Sequence, residues 1–120
     1  MLTTLILAAA LQVAPSGPSG LFSAGQLKDR CESSGPADIS YCFAYVAGVY
    51  DTVSAYETWL HLREFCPSAG VTQGELRSAF VGYLNAKPGF RAGEAASVVV
   101  VALKERYPCP IAKPAPSRKP

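Results

Sequence analysis

The sequence predicts an all-α protein, a single small four-helix domain stapled by two disulfides. Three observations predict it. Apolar residues recur at helical spacing through the middle of the chain, with little strict alternation and no Asn-Gly or Asp-Gly hairpin signal. Four cysteines, Cys31, Cys42, Cys66 and Cys109, each stand at the edge of a helix-patterned segment. Finally, the patterned region between an apolar start and a Pro-rich end is about a hundred residues, enough for one domain but small enough to need staples.

The N-terminal segment, 1–20, reads as a signal peptide and short linker. Leu2 to Ala14 is almost wholly apolar and gives way to Pro15, Ser16, Gly17, Pro18, Ser19 and Gly20, the pattern of a secretory apolar region and its exit. A spanning helix needs about 20 apolar residues, so the run is too short to predict a membrane span. No Lys or Arg precedes it, and cleavage is compatible with the Ala8 to Ala10 region or with Ala14. At the other end, 111–120 carries Pro114, Pro116 and Pro120 with Lys113, Arg118 and Lys119. Such a composition cannot bury a core and predicts a disordered tail. The helical domain is therefore expected over 21–110. The formal charge of the whole chain is +2, but from Leu21 to Ala112 eight Lys or Arg face nine Asp or Glu, leaving that body at −1. No basic face recommends nucleic acid as a partner.

The first helix is expected over about Ser23–Glu32, closed by Gly35-Pro36. The second runs from about Ala37 to Glu64. On a wheel of about 100° per residue, Cys42, Val49, Val53, Tyr56 and Leu60 form one stripe and Ala44, Gly48, Asp51 and Ala55 an opposite one. Two such stripes predict a central helix buried on two faces. The third helix opens at Thr72, whose side chain is placed to cap it with Glu75 three residues on, a capping box, while Val71 can pack against Leu76. Its core stripe is Leu76, Ala79, Phe80, Tyr83 and Leu84, and Pro88-Gly89 ends it. The fourth, Arg91 to Tyr107, is expected to bury Ala92, Ala96, Val99, Val100 and Leu103 before Pro108 stops it. The valines Val98 to Val101 alone also suit a buried strand, but the flanking Glu94, Ala95, Ala96, Leu103, Lys104 and Glu105 favour helix.

Helix order predicts the cysteine pairing. In an up-and-down bundle Cys31 and Cys42 flank the first turn and lie at one end. Cys66 follows the second helix and Cys109 the fourth, and two antiparallel passes bring those ends together. Cys42 and Cys66 are 24 residues apart, about 36 Å along a helix, whereas bridged Cα atoms lie within about 7 Å. The pairs are therefore Cys31–Cys42 and Cys66–Cys109. A zinc or redox role fits poorly: there is no Cys-x-x-Cys, and the single histidine, His61, lies away from every cysteine. Disulfides in turn imply an oxidising compartment.

Candidate catalytic residues are few. Ser54, Glu57 and His61 share one face of the second helix, but Ser54 and His61 are separated by about 10.5 Å of rise, too far for a hydroxyl to meet its base. Asp51 falls on the small-residue stripe, where a buried carboxylate needs a partner, and no second convergent group is evident. No phosphate-binding glycine loop or metal-ligand spacing is present in the sequence. No catalytic residue, cofactor or metal is therefore predicted. A stapled, exported bundle of this kind is expected to work through its surface. Tyr50 and Phe43, on the outer side of the second helix, are candidate interface aromatics.

In order along the chain stand Leu27 and Cys31; Tyr41-Cys42-Phe43-Ala44-Tyr45-Val46-Ala47-Gly48-Val49-Tyr50-Asp51; Phe65-Cys66-Pro67; Gly70-Val71-Thr72 with Leu76; Tyr83-Leu84 and Pro88; then Ala96, Ala102-Leu103 and Tyr107-Pro108-Cys109. This series, over about Ser23 to Cys109, resembles the Rap/Tai immunity family. The most specific pieces are the Cys-x-x-Tyr-x-x-Gly-x-x-Asp run from Cys42 to Asp51 and the closing Tyr-Pro-Cys. The resemblance implies a periplasmic, homodimeric helical protein that protects against a type VI secretion peptidoglycan amidase by pushing a loop into the amidase's cleft, itself catalysing nothing. In this chain the matching loop is Lys87, Pro88, Gly89, Phe90 and Arg91, continuing through Ala92 and Gly93, with Phe90 as apolar anchor and Arg91 as charged contact. Gly48, Asp51 and the cysteines are then expected to maintain the fold. The basic Pro-rich tail and uncharged leader depart from the family pattern. The alternative class is a non-enzymatic periplasmic helical protein without a toxin partner, chaperone-like or stress-related.

Overall fold

The computed structural model describes residues 20–111. Within them the chain forms α1 (Ala24–Glu32), α2 (Pro36–Leu60), α3 (Gln73–Ala86), a short 3-10 turn (Pro88–Ala92) and α4 (Ala95–Arg106). The expected signal segment 1–20 and tail 111–120 lie outside the described residues but for Gly20 and Ile111.

Each helix start has a local cause. Ser23 caps α1, its hydroxyl accepting from the Gln26 amide while the Gln26 side chain accepts from the Ser23 amide. Pro36 opens α2 at a position where the missing N–H costs nothing. Thr72 and Glu75 form the expected capping box, with the Glu75 carboxylate 2.7 Å from the Thr72 amide and 3.0 Å from its hydroxyl. Those two hydrogen bonds hold the Glu75 carboxyl below the usual glutamate range.

The core is the layer where these helices meet. Leu27 and Cys31 from α1, Cys42 and Val46 from α2, Leu76, Phe80 and Leu84 from α3, and Val99, Ala102 and Leu103 from α4 are buried, with Phe65 entering from the α2–α3 connection. Val71 packs against this cluster from just before α3. Both predicted disulfides form: Cys31–Cys42, closing an 11-residue separation, and Cys66–Cys109, closing 43. Arg77 extends this stapling by donating to the Cys31 carbonyl, through Nε at 2.9 Å and through its terminal nitrogen. Near the other disulfide, the Cys66 amide donates to the Tyr107 carbonyl at 2.8 Å.

Three expectations are corrected. α2 ends at Leu60 rather than Glu64, because His61 takes a left-handed conformation, φ 53°. The Leu62 amide then reaches back to the Glu57 carbonyl, and the Glu57 carboxylate accepts from the Glu64 and Phe65 amides. Glu57 thus reverses the chain instead of facing His61 across a helical turn.

The second correction concerns α2's two buried stripes. Its buried residues are Cys42 and Val46, with Tyr41, Tyr45, Val49, Tyr50 and Val53 packed against the core. Tyr56 and Leu60 are exposed, as are Ala44, Gly48 and Asp51. At 25 residues, about 37 Å, α2 outruns helices of 9, 14 and 12 residues, which cover one side of it and only part of its length.

The third is α4, which begins at Ala95, four residues late. Residues 93–95 are held extended against the start of the domain: Ala24 N–H donates to Gly93, Ala95 N–H donates to Phe22, and Ser23 bridges Glu94. With the start moved, the inward face is Ala95, Val98, Val99, Ala102 and Leu103, while Ala92 is exposed and Ala96 and Val100 are half-buried.

Loop-closure arithmetic predicts that removing Cys66–Cys109 as a double alanine variant costs about 4 kcal/mol, and removing Cys31–Cys42 about 3 kcal/mol. Chemical denaturation of the two variants checks the order. A second outcome concerns the α3 cap: Thr72→Ala lowers stability by about 1 kcal/mol. Because the Glu75 pKa is lowered on folding, the stability its ionised form contributes is present above the ordinary glutamate range. It is lost as pH falls through the lowered value, and melting curves across that range read it.

Candidate functional site

The segment singled out in the sequence, 87–93, is a braced turn. Lys87 precedes a proline and leaves helical geometry at φ −131°, ψ 67°, which ends α3. Pro88–Ala92 then winds as a 3-10 turn, the Phe90 amide donating to the Lys87 carbonyl at 3.1 Å and the Gly93 amide to the Phe90 carbonyl at 3.0 Å.

Its side chains are tied to three helices. Lys87 Nζ lies 2.6 Å from a Glu105 carboxylate oxygen on α4 and 4.8 Å from the ring centroid of Tyr83 on α3. The Glu105 hydrogen bond raises the Lys87 pKa. Arg91 reaches Asp29 on α1 at 3.0 Å. The Phe90 ring sits 5.7 Å from that of Tyr83, yet Phe90 remains 50% exposed. Exposed ion pairs contribute about 0–1 kcal/mol each, so the effect of these contacts is to fix position more than to add stability.

Backbone proximity does the rest. A methyl at Gly25 of α1 would lie 3.2 Å from the Arg91 carbonyl oxygen, and one at Gly93 would lie 3.0 Å from a Val98 methyl. The turn therefore rests against α1 at a separation so close that a Cβ at Gly25 would have to push the Arg91 backbone away by a few tenths of an ångström. The result is a braced turn that presents a half-exposed phenyl ring beside the Asp29-paired guanidinium of Arg91.

The other sequence candidates are dispersed. Gly48 and Asp51 stand exposed on α2, and a methyl at Gly48 would meet nothing within 4 Å. Tyr50 and Phe43 are half-buried: Tyr50 stacks on Phe65 at 5.4 Å, and Phe43 lies 6.0 Å from the Arg77 guanidinium. Thr58 Oγ donates to the Ser54 carbonyl, and Glu57 is occupied by the backbone it turns. Among the described residues no three His, Cys, Asp or Glu side chains are grouped to hold a metal, and no helix is long and apolar enough to cross a membrane.

Two open grooves flank α4. One, of about 710 Å3, lies between α3 and α4 and includes Glu75, Gly82 and Arg106. The other, of about 540 Å3, lies between α2 and α4 over Ala44, Gly48, Thr52, Ala96 and Val100. At its upper end Tyr45 is packed so that burial, then the neighbouring Tyr41 and Glu94, push its hydroxyl pKa up. Beyond its lower end Tyr56, Trp59, Leu60 and Leu62 are all exposed, with the Tyr56 and Trp59 rings edge to face at 5.3 Å. Sequence reasoning placed Tyr56 and Leu60 in the core and did not single out Trp59. The available signal was the length of α2 relative to its neighbours.

The whole stapled body, from the cap of α1 to the second disulfide, is what comparison with known families matches. The model of the Rap1a immunity proteins covers residues 23–109. The chain belongs to the Rap1a immunity protein family. A search of curated proteins finds no match. Membership gives an immunity-type function, which is the binding of a toxin partner. The two disulfides agree with folding outside the reducing cytosol.

The glycine contacts yield a paired expectation. Gly25→Leu forces α1 off the turn and lowers stability by about 1–3 kcal/mol, with faster hydrogen exchange at the Ala24 and Gly93 amides. Gly82→Ala, where a methyl meets nothing within 4 Å, raises stability by up to about 1 kcal/mol. Exchange mass spectrometry and thermal melts read both.

Proposed function

We propose that this chain is a periplasmic immunity protein that binds a type VI secretion peptidoglycan amidase and occludes its catalytic cleft with the Lys87–Arg91 turn. What supports the reading most is the coincidence of the family match, 23–109, with a stapled body from which that turn projects in an ordered state. An inhibitor whose contact loop is already ordered does not lose its conformational entropy on docking, a cost that otherwise lowers affinity. Phe90 supplies the apolar anchor, and Arg91 and Lys87 supply charge around it, the residue types that concentrate binding energy.

The short Leu2–Ala14 apolar run, as an export signal, would bring the chain to the compartment where its disulfides form and where peptidoglycan is cut. The chain acts by blocking access and contributes no catalytic group. By the family pattern, two copies work together as a homodimer.

Titration calorimetry of the oxidised protein against the amidase encoded nearest its gene, paired with a peptidoglycan-cleavage assay, tests the reading. Tight binding with inhibition is expected. Phe90→Asp should weaken binding by about 2–4 kcal/mol, roughly 30-fold to 1000-fold, with little change in melting temperature because Phe90 is half-exposed. Absence of binding to the neighbouring amidase contradicts the proposal.

A further inference from the structure

The end of α2 carries apolar surface that the proposed function leaves unused. Tyr56, Trp59 and Leu60 are 53%, 68% and 61% exposed. At positions i, i+3 and i+4 they share about 100° of the helix wheel, and the Tyr56 and Trp59 rings meet edge to face at 5.3 Å. Leu62, past the left-handed turn at His61, is exposed as well. The first three alone present on the order of 400 Å2 of mainly apolar surface, as much as the largest patch on a typical monomer. None of them lines either open groove, so the patch is an outward surface at a helix end.

The charge available at this end has one sign. Arg63, directly after Leu62, has a side chain 66% exposed. The acidic neighbours are engaged: Glu57 accepts from the Glu64 and Phe65 amides and lies 4.0 Å from Arg63, and Glu64 pairs with Lys104 at 2.6 Å. Cys66–Cys109 then fastens the C-terminal chain here, with Cα atoms 4.8 Å apart, and Ile111 follows, almost fully exposed. Beyond it the sequence carries Lys113, Arg118 and Lys119 and no Asp or Glu. Because the body from Leu21 to Ala112 sums to −1, these three cations supply the chain's whole positive excess. Leu62 precedes Cys66 by four residues and Lys113 follows Cys109 by four, each at most about 14 Å of chain. The disulfide thus keeps the cations within reach of the apolar patch.

Aromatic and leucine surface beside cations is complementary to a bilayer with anionic headgroups. Trp and Tyr rings favour the headgroup level, and each Lys or Arg near an anionic lipid surface adds attraction. Firm peripheral attachment takes an apolar and a basic signal together, and here the Cys66–Cys109 bridge joins the two. A protein docking on the patch alone would give the cations no role.

We propose that this end of the molecule, Tyr56, Trp59, Leu60 and Leu62 with the cations that follow Cys109, docks on the surface of a bilayer containing anionic phospholipid. The attachment is peripheral, since no described helix is long and apolar enough to cross a membrane. It does not depend on the toxin-binding reading and uses no residue of the Lys87–Arg91 turn.

Trp59 is the single tryptophan of the chain, so its own fluorescence reports the contact. The oxidised, exported protein is titrated with vesicles of phosphatidylcholine containing about one-third phosphatidylglycerol, and with vesicles of phosphatidylcholine alone. A blue shift of Trp59 emission is expected on the anionic vesicles, weakened by added salt, with little shift on the neutral ones. Two variants are then compared by vesicle cosedimentation: Tyr56→Gln with Trp59→Gln, and Lys113→Gln with Arg118→Gln and Lys119→Gln. Each is expected to lower partitioning at least about tenfold with unchanged circular dichroism, because Tyr56 and Trp59 are mostly exposed. Absence of a shift on anionic vesicles overturns the proposal; if the Tyr56 and Trp59 variant then also loses amidase binding, the patch belongs to a protein partner. Vesicle binding indifferent to either variant, as a retained Leu2–Ala14 segment would give, overturns it equally. These vesicle results decide the proposal whether or not an amidase binds the chain.

Discussion

A helix of 25 residues in a body this small cannot be buried along its whole length, and the two disulfides decide how it is held. Cys31–Cys42 ties its first turns to α1, and Cys66–Cys109 ties the chain just beyond its end to the end of α4. Both bridges lie at the limits of the helical layer, so the chain between them is restricted to arrangements in which the short helices lie beside α2. The apolar core is only about fifteen residues, and the loop entropy removed from the unfolded chain is a large addition to it.

That scaffold explains why the 88–92 turn is ordered despite its exposure. The turn touches α1 through Gly25 and Asp29, α3 through Tyr83 and α4 through Glu105. Disulfides hold one end of α1 and the chain just past α4, and α3 packs with both in the core, so weak surface contacts suffice to set the turn's conformation. In the proposed function, binding and stapling are thereby linked: the turn offered to the partner is held in place by the scaffold beneath it.

The parts of the fold written in local chemistry were legible from sequence. The Thr72–Glu75 box, the Gly35-Pro36 break between the first two helices and the stripe from Leu76 to Leu84 each depend on spacing along one segment, and the cysteine parity on the order of the helices. What was not legible depends on contacts between segments. The late start of α4 follows from hydrogen bonds between residues 22–24 and 93–95, some 70 positions apart, and no periodicity within Arg91–Tyr107 encodes them. The early end of α2 follows from a glutamate folding back onto amides seven and eight residues ahead. The exposure of Tyr56 and Leu60 follows from the excess length of α2 over its neighbours, a disparity already present in the expected boundaries, where the two-stripe reading overrode it. At the candidate site, the residues 87–91 were singled out by resemblance, while their bracing by Asp29 and Gly25 required the structure.

The central claim is that a stapled helical body presents one preformed turn to a toxin. A hydrogen-exchange footprint of the oxidised protein, alone and bound to the amidase encoded beside it, tests this most directly. The account predicts new protection at the amides of Gly89 to Ala92 on complex formation, with the buried core of α3 and α4 unchanged. Protection confined to surfaces remote from the turn, with 89–92 exchanging as in the free protein, would contradict it.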